Sequence, residues 1–217
     1  MSEAETIERR GLKWAQVLEG ARKVFMKHGY EGASVDEIAR TAGTSKATLY
    51  SYFPDKRQLF EAVVQTRCSV QGEMICEGAA DAPIEDTLRR MAISFATFLF
   101  SPGAQEMFRV CIAESGRFPE AGAAFYAAGP ARAHARLVAF FEKTAAHGKL
   151  AIDDPDVAAS QFAALCKAGL FLRALLGHRP ASEAEIAHIA EEAVKTFLAR
   201  YGVAPGKADP AHGANLD

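Results

Sequence analysis

Cysteine is scarce in this chain, with only Cys68, Cys76, Cys111 and Cys166 among 217 residues. No pair has C-x-x-C spacing and no histidine cluster accompanies them, which argues against a zinc site. Each sits among apolar neighbours and reads as a buried thiol. Redox sensing through Cys68 and Cys76 is the alternative, but eight residues along one helix is about 12 Å, too far for a disulfide within an intact helix. Long apolar runs are also missing. The longest, 163–176, is interrupted by Lys167 and Arg173, short of the roughly 20 residues that cross a bilayer. The start, Met1-Ser2-Glu3-Ala4-Glu5, has neither the basic end nor the apolar core of a signal peptide. A cytoplasmic protein with no membrane partner is expected. Excess positive charge is absent too: 25 Lys plus Arg meet 27 Asp plus Glu, a net charge of −2. That excludes a uniformly basic nucleic-acid coat but not a local basic patch. No phosphate-cradling glycine loop, nucleophile elbow or metal motif is present, so no cofactor is expected. Asp153, Asp154 and Asp156 are neighbouring carboxylates, explained by a helix start. An enzyme is the weaker reading.

No stretch alternates long enough for a half-buried strand; apolar residues recur at three and four. The chain reads all-α. A first helix over 12–28 turns Val17, Ala21, Val24 and Phe25 inward and is stopped by Gly29, suited to a left-handed C-terminal position. Ser34-Val35-Asp36-Glu37 is a capping box that opens a short second helix ending near Thr41. Ala42-Gly43-Thr44 is a tight turn, and Ser45 caps a third helix over 46–53. Pro54 breaks it, since a proline disfavours the α conformation in the preceding residue. Further helices are expected over 55–78, 84–100, 104–115, 120–146 (interrupted at Gly129-Pro130), 155–176 and from Ser182 to Tyr201. The tail 202–217 has prolines, glycines and no apolar periodicity, and should be mobile. The expected organisation is an N-terminal arm and helix-turn-helix over 1–54, a connecting helix over 55–78, a helical effector and dimerisation domain over 79–201, and the tail.

The informative stretch is 34–53. Two capped helices joined by a glycine turn, with Val35, Ile38, Ala39, Leu49 and Phe53 inward, have the layout of a helix-turn-helix. The outward set is Thr44, Ser45, Lys46, Ala47, Thr48, Tyr50, Ser51 and Tyr52. No acidic residue lies between Arg40 and Pro54. A helix entering the major groove must avoid carboxylates, which meet phosphate charge. Arg40, Lys46, Lys56 and Arg57 against Asp55 leave this stretch at +3 inside a chain of −2. The hydroxyls of Ser34, Thr44, Ser45, Tyr50 and Tyr52 and the ammonium groups of Lys46 and Lys56 suit phosphate oxygens. Ala47, Thr48 and Ser51 are short enough to meet base edges or a thymine methyl. Arg9, Arg10 and Lys13 could form an arm on the DNA. Packing is the alternative role for Tyr50 and Tyr52, and balanced surface charge for Arg9 and Arg10.

The run from Val17 to Leu59 resembles the DNA-binding domain of the TetR family of bacterial transcriptional regulators. The residues that carry the likeness are 21–25, 29–34, Ile38-Ala39, 42–50, Tyr52-Phe53 and Lys56. Where the family often has glycine and a larger polar residue, this chain has Ala47 and Ser51. Farther on, 114–119, Phe125-Tyr126, Gly129-Pro130, 148–150 and Asp154-Pro155 resemble the AcrR and AefR subgroup. The resemblance implies a regulator, most simply a repressor, that binds an inverted-repeat operator in double-stranded DNA as a homodimer and is released by a small-molecule effector.

One helix-turn-helix makes few base contacts, and dimers place two about 34–36 Å apart. Two apolar stripes are candidates for the dimer face: Val157, Phe162, Leu165, Ala168, Gly169, Leu172 and Leu176, and Ile186, Ile189, Ala190, Ala193, Val194 and Phe197. Both could equally serve the monomer core. For the effector, Phe95, Phe98, Met107, Phe108, Cys111, Phe125, Tyr126, Phe140, Phe162 and Phe171 offer apolar walls, with Leu99 and Phe141 beside them. Arg109, Arg117, His134 or His178 could orient a ligand. A helical small-molecule-binding protein that has lost DNA binding is the competing class; the acid-free third helix argues against it.

Overall fold

Helix formation begins at the N-terminal side with α1 (Glu3–Gly32), far longer than the expected 12–28. The computed structural model describes residues 3–76 and 82–203, with side chains over 11–66 and 82–203. The Cys68 and Cys76 thiols, the Arg9 and Arg10 side chains, the end of the connecting helix at Gly78 and the tail beyond residue 203 lie outside the described residues. Gly29 breaks the regular course of α1 at φ 73°, ψ −179°, a region open essentially to glycine alone. A Cβ there would also collide with the Glu114 carboxylate.

The Ser34 side chain caps α2 (Val35–Thr41), its Oγ accepting from the Glu37 amide at 3.1 Å. The expected return half of the capping box is replaced by a tertiary contact: Glu37 meets His28 Nε2 at 3.1 Å. The turn that follows has Gly43 at φ 58°, and α3 (Lys46–Tyr52) is capped by Ser45, with Phe53 as its C-terminal cap. Lys13 Nζ donates to the Gly43 carbonyl at 3.1 Å, tying the turn to α1.

Then come α4 (Lys56–Cys76), α5 (Ile84–Leu99), α6 (Pro102–Ser115), α7 (Pro119–Ala128), α8 (Pro130–Ala146), α9 (Pro155–Leu165), α10 (Phe171–Leu175) and α11 (Glu183–Tyr201). Proline opens α6, α7, α8 and α9, where its missing N–H costs nothing. The interruption at Gly129-Pro130 is therefore complete, and 120–146 is two helices. The single helix expected over 155–176 is not formed. It stops at Leu165, and Gly169 at φ 70° turns the chain before α10. Apolar spacing runs on through Ala168 to Leu172, so the periodicity could not reveal the stop. Ser182 and Glu185 form a full capping box on α11.

Among the described residues three apolar cores hold these helices, the third gathering Leu99, Phe100, Ala174 and Ile186. In the first, Phe25, Tyr30, Ile38, Leu49, Phe60 and Val64 pack with Met107 and Cys111 of α6 and Ala121 of α7. Helices of the expected DNA-binding unit thus share one core with the effector region. The Tyr30 ring lies against Phe60 at 5.2 Å and Phe118 at 5.6 Å, and Arg117 pairs with Glu31 at 2.8 Å. In the second core, Phe141, Phe162 and Phe197 contact one another at ring distances of 4.9–5.7 Å, with Leu88, Ala190 and Val194. Burying an aromatic of this size is worth a few kcal/mol. Of the stripe Ile186, Ile189, Ala190, Ala193, Val194 and Phe197, all but the half-buried Ile189 are buried inside the chain, so those five build the monomer core rather than a free dimer face. Arg89 locks α5 to α11, reaching Glu191 at 2.8 Å while also holding Glu85 and Asp86.

Candidate nucleic-acid interface and effector region

Leu49 is the inward anchor of α3, buried in the first core. The seven-residue helix therefore presents its other sides outward. Ser45, Lys46, Ala47, Tyr50 and Ser51 are exposed, and Thr44, Thr48 and Tyr52 are half-buried. No acidic side chain lies on α3 itself. Several of its polar groups are already engaged. Ser45 Oγ accepts from the Thr48 amide at 3.0 Å and lies 2.8 Å from Thr48 Oγ1. The Ser51 hydroxyl donates to the Thr48 carbonyl at 2.7 Å. These bonds orient the hydroxyls and leave lone pairs or a proton for a partner. Tyr50, 49% exposed, stands clear of the core. Tyr52 lies against Phe53 and the core beneath it.

Two lysines behave differently. Lys46 Nζ is 2.6 Å from Asp36 Oδ1 on α2, and this hydrogen bond raises its pKa. The acid-free reading held along the chain; the fold brings a carboxylate back across the turn. Lys56, expected to face phosphate, instead donates to the carbonyls of Glu31 at 3.1 Å and Ala33 at 3.3 Å. Its ammonium also sits 4.8 Å from the centre of the Tyr30 ring. Those carbonyls end α1 with no helical partner, which is why a half-buried lysine is drawn there. Arg57 pairs with Glu61 at 3.1 Å, and Arg40 is exposed at the end of α2. The sole tryptophan, Trp14, lies 6.3 Å from Phe53 at the edge of this face.

The ten expected effector-wall residues do not form one group. Phe108 on α6 meets Phe125 on α7 at 5.0 Å and Phe171 on α10 at 5.3 Å, both edge to face. Phe95 packs with Phe108 and Phe171 against Leu99, Phe100, Ala174 and Ile186. Phe98 is half-buried on α5. Met107 and Cys111 lie in the first core, beneath α1 and α4. Phe162 and Phe140 belong to the second core. Phe162 is 0% exposed, enclosed by Phe141 and Phe197, so it is packing and not wall. Tyr126 is 64% exposed and lines nothing within the chain. For Tyr126 the cause is local: an aromatic one residue off the inward face of a short helix points away, and an alanine-rich segment does not reveal the phase of α7.

The suggested polar anchors are elsewhere as well. Arg109 and His178 are exposed, Arg117 holds Glu31, and His134 Nε2 is 3.1 Å from Ser160 Oγ. Two groups that sequence reasoning passed over are inside. Gln105 on α6 is 4% exposed, its Nε2 donating to the Leu99 carbonyl at 2.7 Å. Arg173 on α10 binds Glu185 through both terminal nitrogens at 2.8 and 3.0 Å. Gln105 Oε1 and Arg173 Nε are buried atoms with no hydrogen-bond partner among the described residues. The signal in the sequence was a glutamine three residues before Phe108, on the apolar side of its helix.

This is an all-helical chain whose N-terminal helix-turn-helix is braced by a helical second region. Comparison with known proteins agrees in both parts. Residues 17–63 match the family model described as bacterial regulatory proteins, tetR family. Residues 86–203 match the AefR-like transcriptional repressor, C-terminal domain. The chain belongs to the TetR family of transcriptional regulators. Among curated relatives, the transcriptional repressor AcnR of Corynebacterium diphtheriae is 36% identical over 73 residues, 34% of this chain and 38% of its own. The transcriptional activator FasR of Mycolicibacterium smegmatis is 48% identical over 58 residues, 27% of this chain and 25% of its own. These matches thus span well under half the length of those relatives. Solved structures are matched along nearly their whole length. A TetR-family regulator from Mesorhizobium loti shares 31% identity at TM-score 0.78, over 90% of this chain and 99% of its own. The flavonoid-responsive regulator FrrA shares 33% identity at TM-score 0.78, over 90% and 100%. Among the described residues no helix is long and apolar enough to cross a membrane.

Proposed function

We propose that this chain is a repressor that binds an inverted-repeat operator as a homodimer through α3 and lets go when a planar aromatic ligand occupies the region between α6, α7 and α10. The observation that carries the reading is the exposed face of α3: Lys46, Ala47, Tyr50 and Ser51 outward, and no carboxylate on the helix. Lys46 and the hydroxyls of Ser45 and Tyr50 suit phosphates, and Ala47 and Ser51 suit base edges. Repressors among the relatives favour repression. The flavonoid responsiveness named for FrrA favours an aromatic effector, and the Phe108–Phe125–Phe171 group provides edges and faces for one. The dimer reading is favoured by three exposed apolar side chains on and just after α9 and α10: Val157 at 43%, Leu172 at 65% and Leu176 at 73%. The ligand would act by population shift, preferring a dimer packing whose two α3 helices no longer match successive major-groove faces.

The deciding experiment is selection of bound fragments from the source genome with purified protein at moderate salt. A short inverted repeat is the expected product. Lys46→Glu, which sets a carboxylate against the phosphates, should abolish binding to every recovered fragment in a mobility-shift titration. Retained binding would remove α3 from the interface.

A further inference from the structure

The amide of Gln105 has a fixed orientation. Only its nitrogen can donate to the Leu99 carbonyl, so its oxygen must be the atom that points the other way. That oxygen is buried and has no donor among the described residues. A buried acceptor left unpaired is costly, and native chains seldom keep one without a reason. The surroundings are apolar and aromatic. Leu99 packs with Phe100, Ala174 and Ile186, and Phe108 lies one turn after Gln105 on α6, touching Phe171 of α10. On α10 the Arg173 Nε–H is buried and likewise has no partner among the described residues. The packed pair of α6 and α10 therefore holds one spare acceptor and one spare donor beside a set of phenylalanine rings.

The charge state selects among ligands. Both terminal nitrogens of Arg173 are occupied by Glu185, and Arg179, which shares that carboxylate, is largely exposed, so an anionic ligand among the rings meets no free buried guanidinium end. A neutral molecule fits better: flat, to lie among the rings, and with a hydroxyl to donate.

Resting on the aromatic-effector reading above, we propose that Gln105 is the specificity-determining residue of this site, its Oε1 accepting a hydrogen bond from a phenolic hydroxyl of a neutral planar ligand. Gln105 contributes discrimination between a phenol and its ether; the phenylalanines contribute affinity that both share. One neutral hydrogen bond in a buried site corresponds to a preference of about tenfold.

The test is calorimetric titration of the full chain with apigenin, its trimethyl ether and unsubstituted flavone, repeated for Gln105→Leu and Gln105→Met. The wild-type chain should bind apigenin about tenfold more tightly than either hydroxyl-free compound. Both variants should lose that preference and bind apigenin no better than flavone. Equal affinities in the wild-type chain, or a preference that survives in a folded variant, would overturn the role of Gln105 while leaving an aromatic effector in place. If none of the three compounds binds, the aromatic-effector reading fails and takes this inference with it. Should both variants fail to fold by circular dichroism, the comparison of phenol with ether in the wild-type chain decides alone.

Discussion

Lys46 shows how a residue's neighbours in space redefine its chemistry. Its ammonium is paired with Asp36, and both side chains are largely exposed. An exposed pair of this kind adds little to stability, because water and salt screen it. A DNA phosphate can displace Asp36, but the carboxylate remains close to the backbone it opposes. Asp36→Asn should therefore raise affinity for any duplex several-fold. It should also steepen the salt dependence of binding by about one counterion. Mobility-shift titrations across a salt series measure both, and an unchanged slope would mean that Lys46 meets no phosphate. Lys56 is the opposite case. A cation near a helix-turn-helix reads as a phosphate ligand in sequence, yet the carbonyls at the end of α1 and the Tyr30 ring claim it. Cys166 is a third instance: burial pushes its thiol up to about 12, which makes it packing material rather than a nucleophile.

At the scale of elements, local chemistry was a good guide where a helix announces its own start. Ser34, Ser45, Asp154 and Ser182 all cap helices as N-terminal acceptors, and Ser101, not expected as a cap, opens α6 in the same way. The start of α11 is the strongest of these. Glu185 closes the capping box with Ser182 and also binds Arg173 and Arg179. The Arg173 guanidinium and the Ser182 amide hold its carboxyl far below the usual carboxylate range. A depressed carboxylate stabilises the fold above its unfolded value near 4.5 and loses that contribution as pH falls below it. The stability gap between the wild-type chain and Glu185→Gln should be constant from neutral pH down to about 5 and narrow progressively in stronger acid. Urea denaturation at a series of pH values reads this directly. A gap that widened on acidification would contradict the ion-paired state. Helix ends were harder to see. Alanine-rich spacing crosses the break between α9 and α10 unchanged, and the stop depends on Gly169 adopting a positive φ that many other glycines never use.

At the scale of the molecule, the expected boundary between DNA-binding and effector regions does not coincide with a gap in packing. Tyr30 and Phe118, Glu31 and Arg117, and the place where Glu114 occupies the space of a Gly29 side chain join the end of α1 to the turn between α6 and α7. Phe125 touches this same core and also Phe108 of the aromatic group. A ligand among these rings would thus lie one packed layer from α1, close enough to bias how the helix-turn-helix is held. The second molecular question is association. Leu172 and Leu176 expose apolar side chains that none of the described residues covers. In the dimer reading, Leu172→Glu with Leu176→Glu buries two like charges per protomer at the interface, and the pair should shift the chain to monomer and lower operator affinity at least tenfold. Light scattering gives the mass and mobility shift the affinity. A dimer that persisted would place the interface elsewhere.

What the sequence determined by itself was everything governed by near neighbours. Helical period, capping serines, proline starts and the acid-free run from Thr41 to Phe53 need only a few residues of context, and with the family motif they were sufficient for the helix-turn-helix and its family. What only the tertiary structure decided was which side chains share a space. Asp36 against Lys46, Lys56 against Tyr30, the scattering of the ten expected effector-wall residues, and the unpaired amide oxygen of Gln105 among the described residues all depend on where distant helices come to rest. Burial and electrostatic pairing are set by distance in space, and a linear pattern carries that distance only within a turn or two of helix.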